Sequence, residues 1–169
     1  MLKPEDVRQL IVSLCRRLLG NGFTLDPFYY RINFDSVAAS ATATGQFLVQ
    51  QDSAFALTHM MYTATATDNT AVANLQPYGS GGASSLTTFL VTLTDSGSGR
   101  NLMDGAVPLD TIFGTAIRPY YLAHPKILDP ASQFTATVQN LDTVNARRLR
   151  LVFGGYKIFG NIEAFKKTI

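Results

Sequence analysis

From Pro27 onward the apolar residues of this chain fall on every second position, segment after segment, and that rhythm constrains the fold more than any other feature. A period of two puts alternate side chains on opposite faces of an extended strand, so one face can be buried while the other meets solvent. Phe28, Tyr30, Ile32 and Phe34 alternate with Tyr29, Arg31 and Asn33. Phe89, Val91 and Leu93 alternate with Thr88, Thr92 and Thr94, and Phe134, Ala136 and Val138 with Thr135, Thr137 and Gln139. Leu149, Leu151 and Phe153 alternate with Arg148, Arg150 and Val152 until Gly154-Gly155 breaks the run, which resumes over Tyr156 to Phe159. In a longer segment, Phe55, Leu57, His59, Met61 and Thr63 are expected on one face. Ala54, Ala56, Thr58, Met60 and Tyr62 are expected on the other.

Shorter strand candidates lie at Leu109 to Phe113 and Arg118 to Leu122, among Pro108, Pro119, Pro125 and Pro130. Turn chemistry marks Asp68-Asn69, Gly79 to Ser85 and Asp95 to Gly99. The small-residue stretch Ala38 to Thr44 reads either as a link or as a strand packed closely against another chain. Seven or eight short strands with turns between them predict an all-β chain, an antiparallel β-sandwich of the jelly-roll kind or a barrel.

Ahead of the strands the spacing is helical. Pro4 suits a first turn, Glu5 and Asp6 follow where the helix dipole favours anions, and Arg16 and Arg17 sit in the last turn. Val7, Leu10, Ile11, Leu14 and Leu18 form one apolar stripe, and Gly20 or Gly22 can close the helix. A lone helix of this length is marginal in water, so the stripe needs a partner surface, either its own domain or a neighbouring subunit. The chain therefore divides into a helical arm (1–22), a sandwich (23–160) and a C-terminal tail (161–169). No internal repeat is visible.

Charge is scarce: 15% of the 169 residues, against roughly 25% in an average soluble protein. The net charge is +2, and between Ser36 and Gly99 the only ionised residues are Asp52, Asp68 and Asp95. This composition excludes a disordered chain and weighs against a protein that lives by binding phosphate backbones. No apolar run approaches the ~18 residues of a membrane span, so neither a membrane nor a specific nucleic acid is expected as partner. Without a secretory signal the chain is expected to be made or assembled inside a cell. So little repulsion, together with exposed strand edges, predicts a homo-oligomer, a dimer or trimer, with Ala38 to Thr44 near the contact.

Chemistry is sparse as well. Cys15 alone builds neither a disulfide framework nor a zinc cage and is expected to pack as a small hydrophobe. His59 and His124 have no acid or second histidine at metal-ligand spacing. His59 is expected as a buried or interface residue, and His124 in a loop. Gly79 to Gly82 lacks the lysine and helix of a phosphate-cradling loop, and Asp95 to Asp104 lacks the ligands of a calcium loop. No enzyme and no cofactor is expected. Arg147, Arg148 and Arg150 form the one basic cluster. On a strand, Arg148 and Arg150 project from the side opposite the apolar face, as a solvated surface or as a contact for acidic groups.

The Phe89-to-Asp95 strand with its Gly-Ser turn, the Pro108-to-Gly114 segment, Arg118 to Leu122 with Pro125, and the closing Leu149-to-Phe159 run together carry a resemblance. The chain from about Phe28 to Phe159 resembles the small jelly-roll cement or decoration proteins of tailed-bacteriophage heads. The resemblance implies a non-enzymatic virion protein, assembled in the host cytoplasm onto the capsid surface, that bridges neighbouring major capsid protein subunits. Attachment is expected from Leu10 and Leu14 on the helix, from Arg148 and Arg150, and from Phe165, Lys166 and Lys167 in the tail. The alternatives are a tail or connector protein and a carbohydrate-binding jelly roll using Tyr78, Tyr120 and Tyr121.

Overall fold

The computed structural model of the chain describes residues 4–19, 22–66, 89–97 and 100–160. Helix α1 (Pro4–Leu19) precedes β1 (Thr24–Val37), β2 (Thr42–Leu48), β3 (Ala54–Ala66) and β4 (Phe89–Asp95). The return half comprises β5 (Arg100–Asn101), β6 (Val107–Pro108), α2 (Leu109–Ile112), β7 (Tyr120–Leu128), β8 (Gln133–Asn140) and β9 (Arg147–Phe159).

Strand pairing follows one long hairpin. At its tip β4 pairs with β5 and β6; further down β3 pairs with β7, β2 with β8 and β1 with β9, all antiparallel. The double ribbon then rolls over, so that β9 also meets β3 and β8 also meets β4. The result is two facing sheets, β1-β9-β3-β7 and β2-β8-β4-β5, with β6 beside β4. This is the strand order of a jelly roll, and the expected all-β antiparallel sandwich with one N-terminal helix is what forms.

The alternating faces meet between the sheets. Tyr30, Ile32, Phe34, Phe89, Val91, Leu93, Phe134, Val138, Leu149, Leu151 and Phe153 are all buried there. Tyr30 stacks on Phe47 with centroids 4.4 Å apart, and Phe153 meets both Phe47 and Phe134 at 5.2 Å. Aromatic rings thus bridge the layers.

Helix α1 covers part of the outer face of the first sheet. Ile11 and Cys15, one turn apart, are fully buried against Ala54, Ala56 and Ile158. Burial pushes the Cys15 thiol up to about 11, as befits a packed rather than reactive sulfur. Leu10, on the flank of the stripe, is exposed.

Four local expectations are corrected. Leu109 to Phe113 is a helical turn instead of a strand: Phe113 N–H donates to Leu109 O at 2.9 Å, and both side chains are buried, a spacing of four. His124 and Pro125 lie within β7 instead of a loop. They fall where its pairing with β3 jumps from Lys126 opposite Leu57 to Tyr121 opposite His59, so proline's missing N–H interrupts no ladder bond. Gly154-Gly155 does not end the last strand, since β9 runs through both residues. Finally, the two faces of β3 exchange partway along. A bulge between Leu57 and His59 puts Met60 and Ala64 in the core with Phe55 and Leu57, and turns His59, Met61 and Thr63 outward.

The glycine pair is what lets β3 and β9 approach. A Cβ at Gly155 would stand 2.0 Å from the Ala56 carbonyl oxygen, a backbone atom that cannot swing away. Gly155→Ala is expected to destabilise the fold by about 2–4 kcal/mol, beyond an ordinary overpacking change. Urea unfolding followed by circular dichroism measures this.

Candidate binding face

Beyond α1, the outer face of the first sheet carries exposed and half-buried side chains, and the register places them in rows. Tyr29, Gly154, His59 and Tyr121 lie side by side across β1, β9, β3 and β7. The next row is Arg31, Val152 and Met61, and the next Asn33, Arg150 and Thr63; Arg148 and Thr65 pair beyond. Rows two residues apart along a strand are roughly 6.6–6.8 Å apart. An aromatic end thereby grades into an arginine end.

The aromatic end is held in place by hydrogen bonds beneath it. Thr58, the bulged residue, donates its hydroxyl hydrogen to Gly154 O at 3.1 Å. The same hydroxyl oxygen lies 2.9 Å from His59 Nδ1 and anchors that edge of the imidazole. Half-buried, His59 is pushed below the usual histidine value by desolvation, so it is neutral at pH 7. Tyr29 meets it edge to face at 5.8 Å, and Tyr121 lies tilted at 5.3 Å on the other side. Together with Tyr156, Met61 and Pro119 these rings line a recess of about 320 Å³.

At the arginine end, Arg148 and Arg150 line a second recess of about 230 Å³ with Thr63 and Thr65. Both project from the outer face as expected. Arg148 Nε donates to the Asp35 carbonyl at 3.3 Å, and Arg150 is exposed. Arg147 is engaged elsewhere. Its Nε and Nη2 donate to Asp142 Oδ2 at 2.9 and 2.6 Å, while the backbone N–H groups of Val144 and Asn145 donate to Asp142 Oδ1. These bonds hold the Asp142 carboxyl well below the usual range, headed by the two backbone donors. They pin the β8–β9 turn.

The remaining candidate residues are scattered or undescribed. Leu10 sits exposed on α1 and lines neither recess, and the Leu14 side chain lies outside what is described. Phe165, Lys166, Lys167 and Tyr78 also lie outside the described residues. Tyr121 enters the aromatic recess, whereas Tyr120, its neighbour on β7, points to the other side of the strand. Tyr29, His59 and Tyr156 were not legible as a group, because only the bulge at Thr58 brings His59 to their side. Among the described residues no three His, Cys, Asp or Glu side chains converge in a metal-binding group, and no helix is long and apolar enough to cross a membrane.

Compared with family models, with curated proteins and with solved structures, the chain matches none.

Because His59 has a lowered value in the fold, the unfolded chain takes up that proton first as pH falls below about 6.5. Its contribution to stability is complete above that pH and declines on acidification until the folded imidazole also titrates. Urea midpoints at pH 7 and pH 5 are expected to differ less in His59→Gln than in the parent chain.

Proposed function

We propose that this chain is a non-enzymatic virion structural protein of the capsid-decoration kind, a jelly roll that docks on major capsid protein subunits and bridges them. The observation that carries the reading is the Arg148–Arg150 pair. Two guanidinium groups stand beside the Thr63 and Thr65 hydroxyls on an open sheet face, and among the described residues neither has an ion-pair partner. Arginine forks match carboxylates bidentately, so an acidic strip on a shell subunit is the surface they fit. Stabilisation follows by mass action, because a ligand that binds only the assembled shell favours assembly by RT ln(1 + [L]/Kd).

Self-association fits the same reading. β2 is an edge strand whose outward residues Thr42, Thr44, Gln46 and Leu48 carry no charge, and Leu48 is 62% exposed. An uncharged edge without proline is a template for pairing with another copy. A dimer or trimer joined near this edge would present several arginine pairs to the shell at once.

Two measurements test these statements. Arg148→Glu with Arg150→Glu is expected to cut co-sedimentation with intact particles at least tenfold while the circular dichroism spectrum is unchanged; undiminished co-sedimentation overturns the docking reading. Leu48→Lys is expected to shift the isolated protein toward monomer in sedimentation velocity, with no change in secondary structure.

A further inference from the structure

Three local devices build the aromatic recess on the outer side of the sheet. The bulge at Thr58 turns His59 out of the sandwich, and bulges commonly re-aim side chains beside binding sites. Gly154 allows the imidazole to lie against β9, for a Cβ there would stand 2.2 Å from Nε2 and 2.8 Å from Tyr29 Cε1. The Thr58 hydroxyl holds the Nδ1 edge of the ring at 2.9 Å. A ring with its position and orientation set, on a face that solvent can reach, is preorganised for a ligand.

The lining identifies the chemistry. Among the described residues no charged side chain lines the recess, so an ionic occupant would lose hydration without gaining a counter-charge from them. What line the walls are tyrosine and histidine side chains, which join apolar ring faces to phenol and imidazole hydrogen-bonding groups. The rings are set at an angle, 77° between Tyr29 and His59 and 39° between His59 and Tyr121, forming a trough in place of a slot for a flat base. A volume of about 320 Å³ is at the lower end for small-molecule sites and suits one or two rings. A puckered ring with C–H faces and a rim of hydroxyls meets each of these conditions.

We propose that the recess bounded by Tyr29, His59 and Tyr121 binds a neutral pyranose unit of a saccharide. The site stands two rows away from Arg150 and does not rest on the shell-docking reading.

The test titrates maltohexaose, cellohexaose, mannohexaose and the N-acetylglucosamine hexamer into the full chain. Binding is followed by calorimetry and by the His59 imidazole proton resonance. At least one sugar is expected to move that resonance saturably with a millimolar dissociation constant. Tyr29 is 58% exposed, so Tyr29→Ala leaves the core untouched and is expected to weaken binding about threefold to tenfold, as is Tyr121→Ala. Arg148→Glu with Arg150→Glu is expected to leave it unchanged, which separates failure of this proposal from failure of the docking reading. The proposal is overturned if none of the four sugars moves the His59 resonance at tens of millimolar, or if binding survives both alanine variants. It is equally overturned if uridine monophosphate occupies the recess more tightly than every sugar, or if the alanine variants change the oligomeric state and thereby mark the recess as a protein contact.

Discussion

The rest of the structure depends on the close approach of β3 to β9. Pairing along the primary hairpin brings β9 only to β1; the roll closes when the other edge of β9 meets β3 over twelve paired positions from Ala54–Ile158 to Ala66–Arg147. Glycine at 155 is what admits the Ala56 carbonyl at that line. Once the two strands are joined, Phe153 sits among Phe47, Phe113 and Phe134, and the second sheet has a surface to pack on. The same pairing carries the bulge at Thr58, whose hydroxyl bonds across to Gly154. Closure of the core and construction of the outer recess are therefore consequences of one strand contact.

Buried polar and charged groups are compatible with this fold because, among the described residues, each has a partner. Lys126 on the first sheet bridges to Asp95 on the second at 3.2 Å, and the Asp95 carboxylate also accepts the Gly97 N–H. Lys157, almost fully buried, places its ammonium 3.8 Å from the centre of the Phe28 ring and donates to the Gln50 side chain. Asn140, with no exposed surface, ties three carbonyls of the β1–β2 and β8–β9 turns together through its amide. Among the described residues no buried side-chain nitrogen or oxygen lacks a partner, which is the condition for keeping such groups inside. Arg148 and Arg150, by contrast, line a recess on the outer face, and among the described residues no carboxylate pairs with either.

The outer face also brings two chemistries into one plane. Pleating places alternate residues of four strands on it, so side chains far apart in sequence become neighbours at strand spacing. Tyr29 and Tyr121 are separated by most of the sandwich sequence, yet His59 touches both. The aromatic and arginine ends are distinct in polarity and separated by the Arg31–Val152–Met61 row.

The sequence by itself determined the fold class and most of the core. Period-two burial is a local property of the backbone, so Phe89, Val91 and Leu93, or Leu149, Leu151 and Phe153, could be assigned inward without knowing their partners. The same holds for the helix and for the outward Arg148 and Arg150. What only the tertiary structure decided are the features that depend on a neighbouring strand. The bulge at Thr58 is a feature of the register of β3 against β9, where one extra residue reverses every later side chain. Gly154 and Gly155 look like breakers until β3 lies beside them. Leu109 and Phe113 read as a strand until a buried helical turn unites them. The recess around His59 follows from that non-local pairing, and no spacing within the chain announces it.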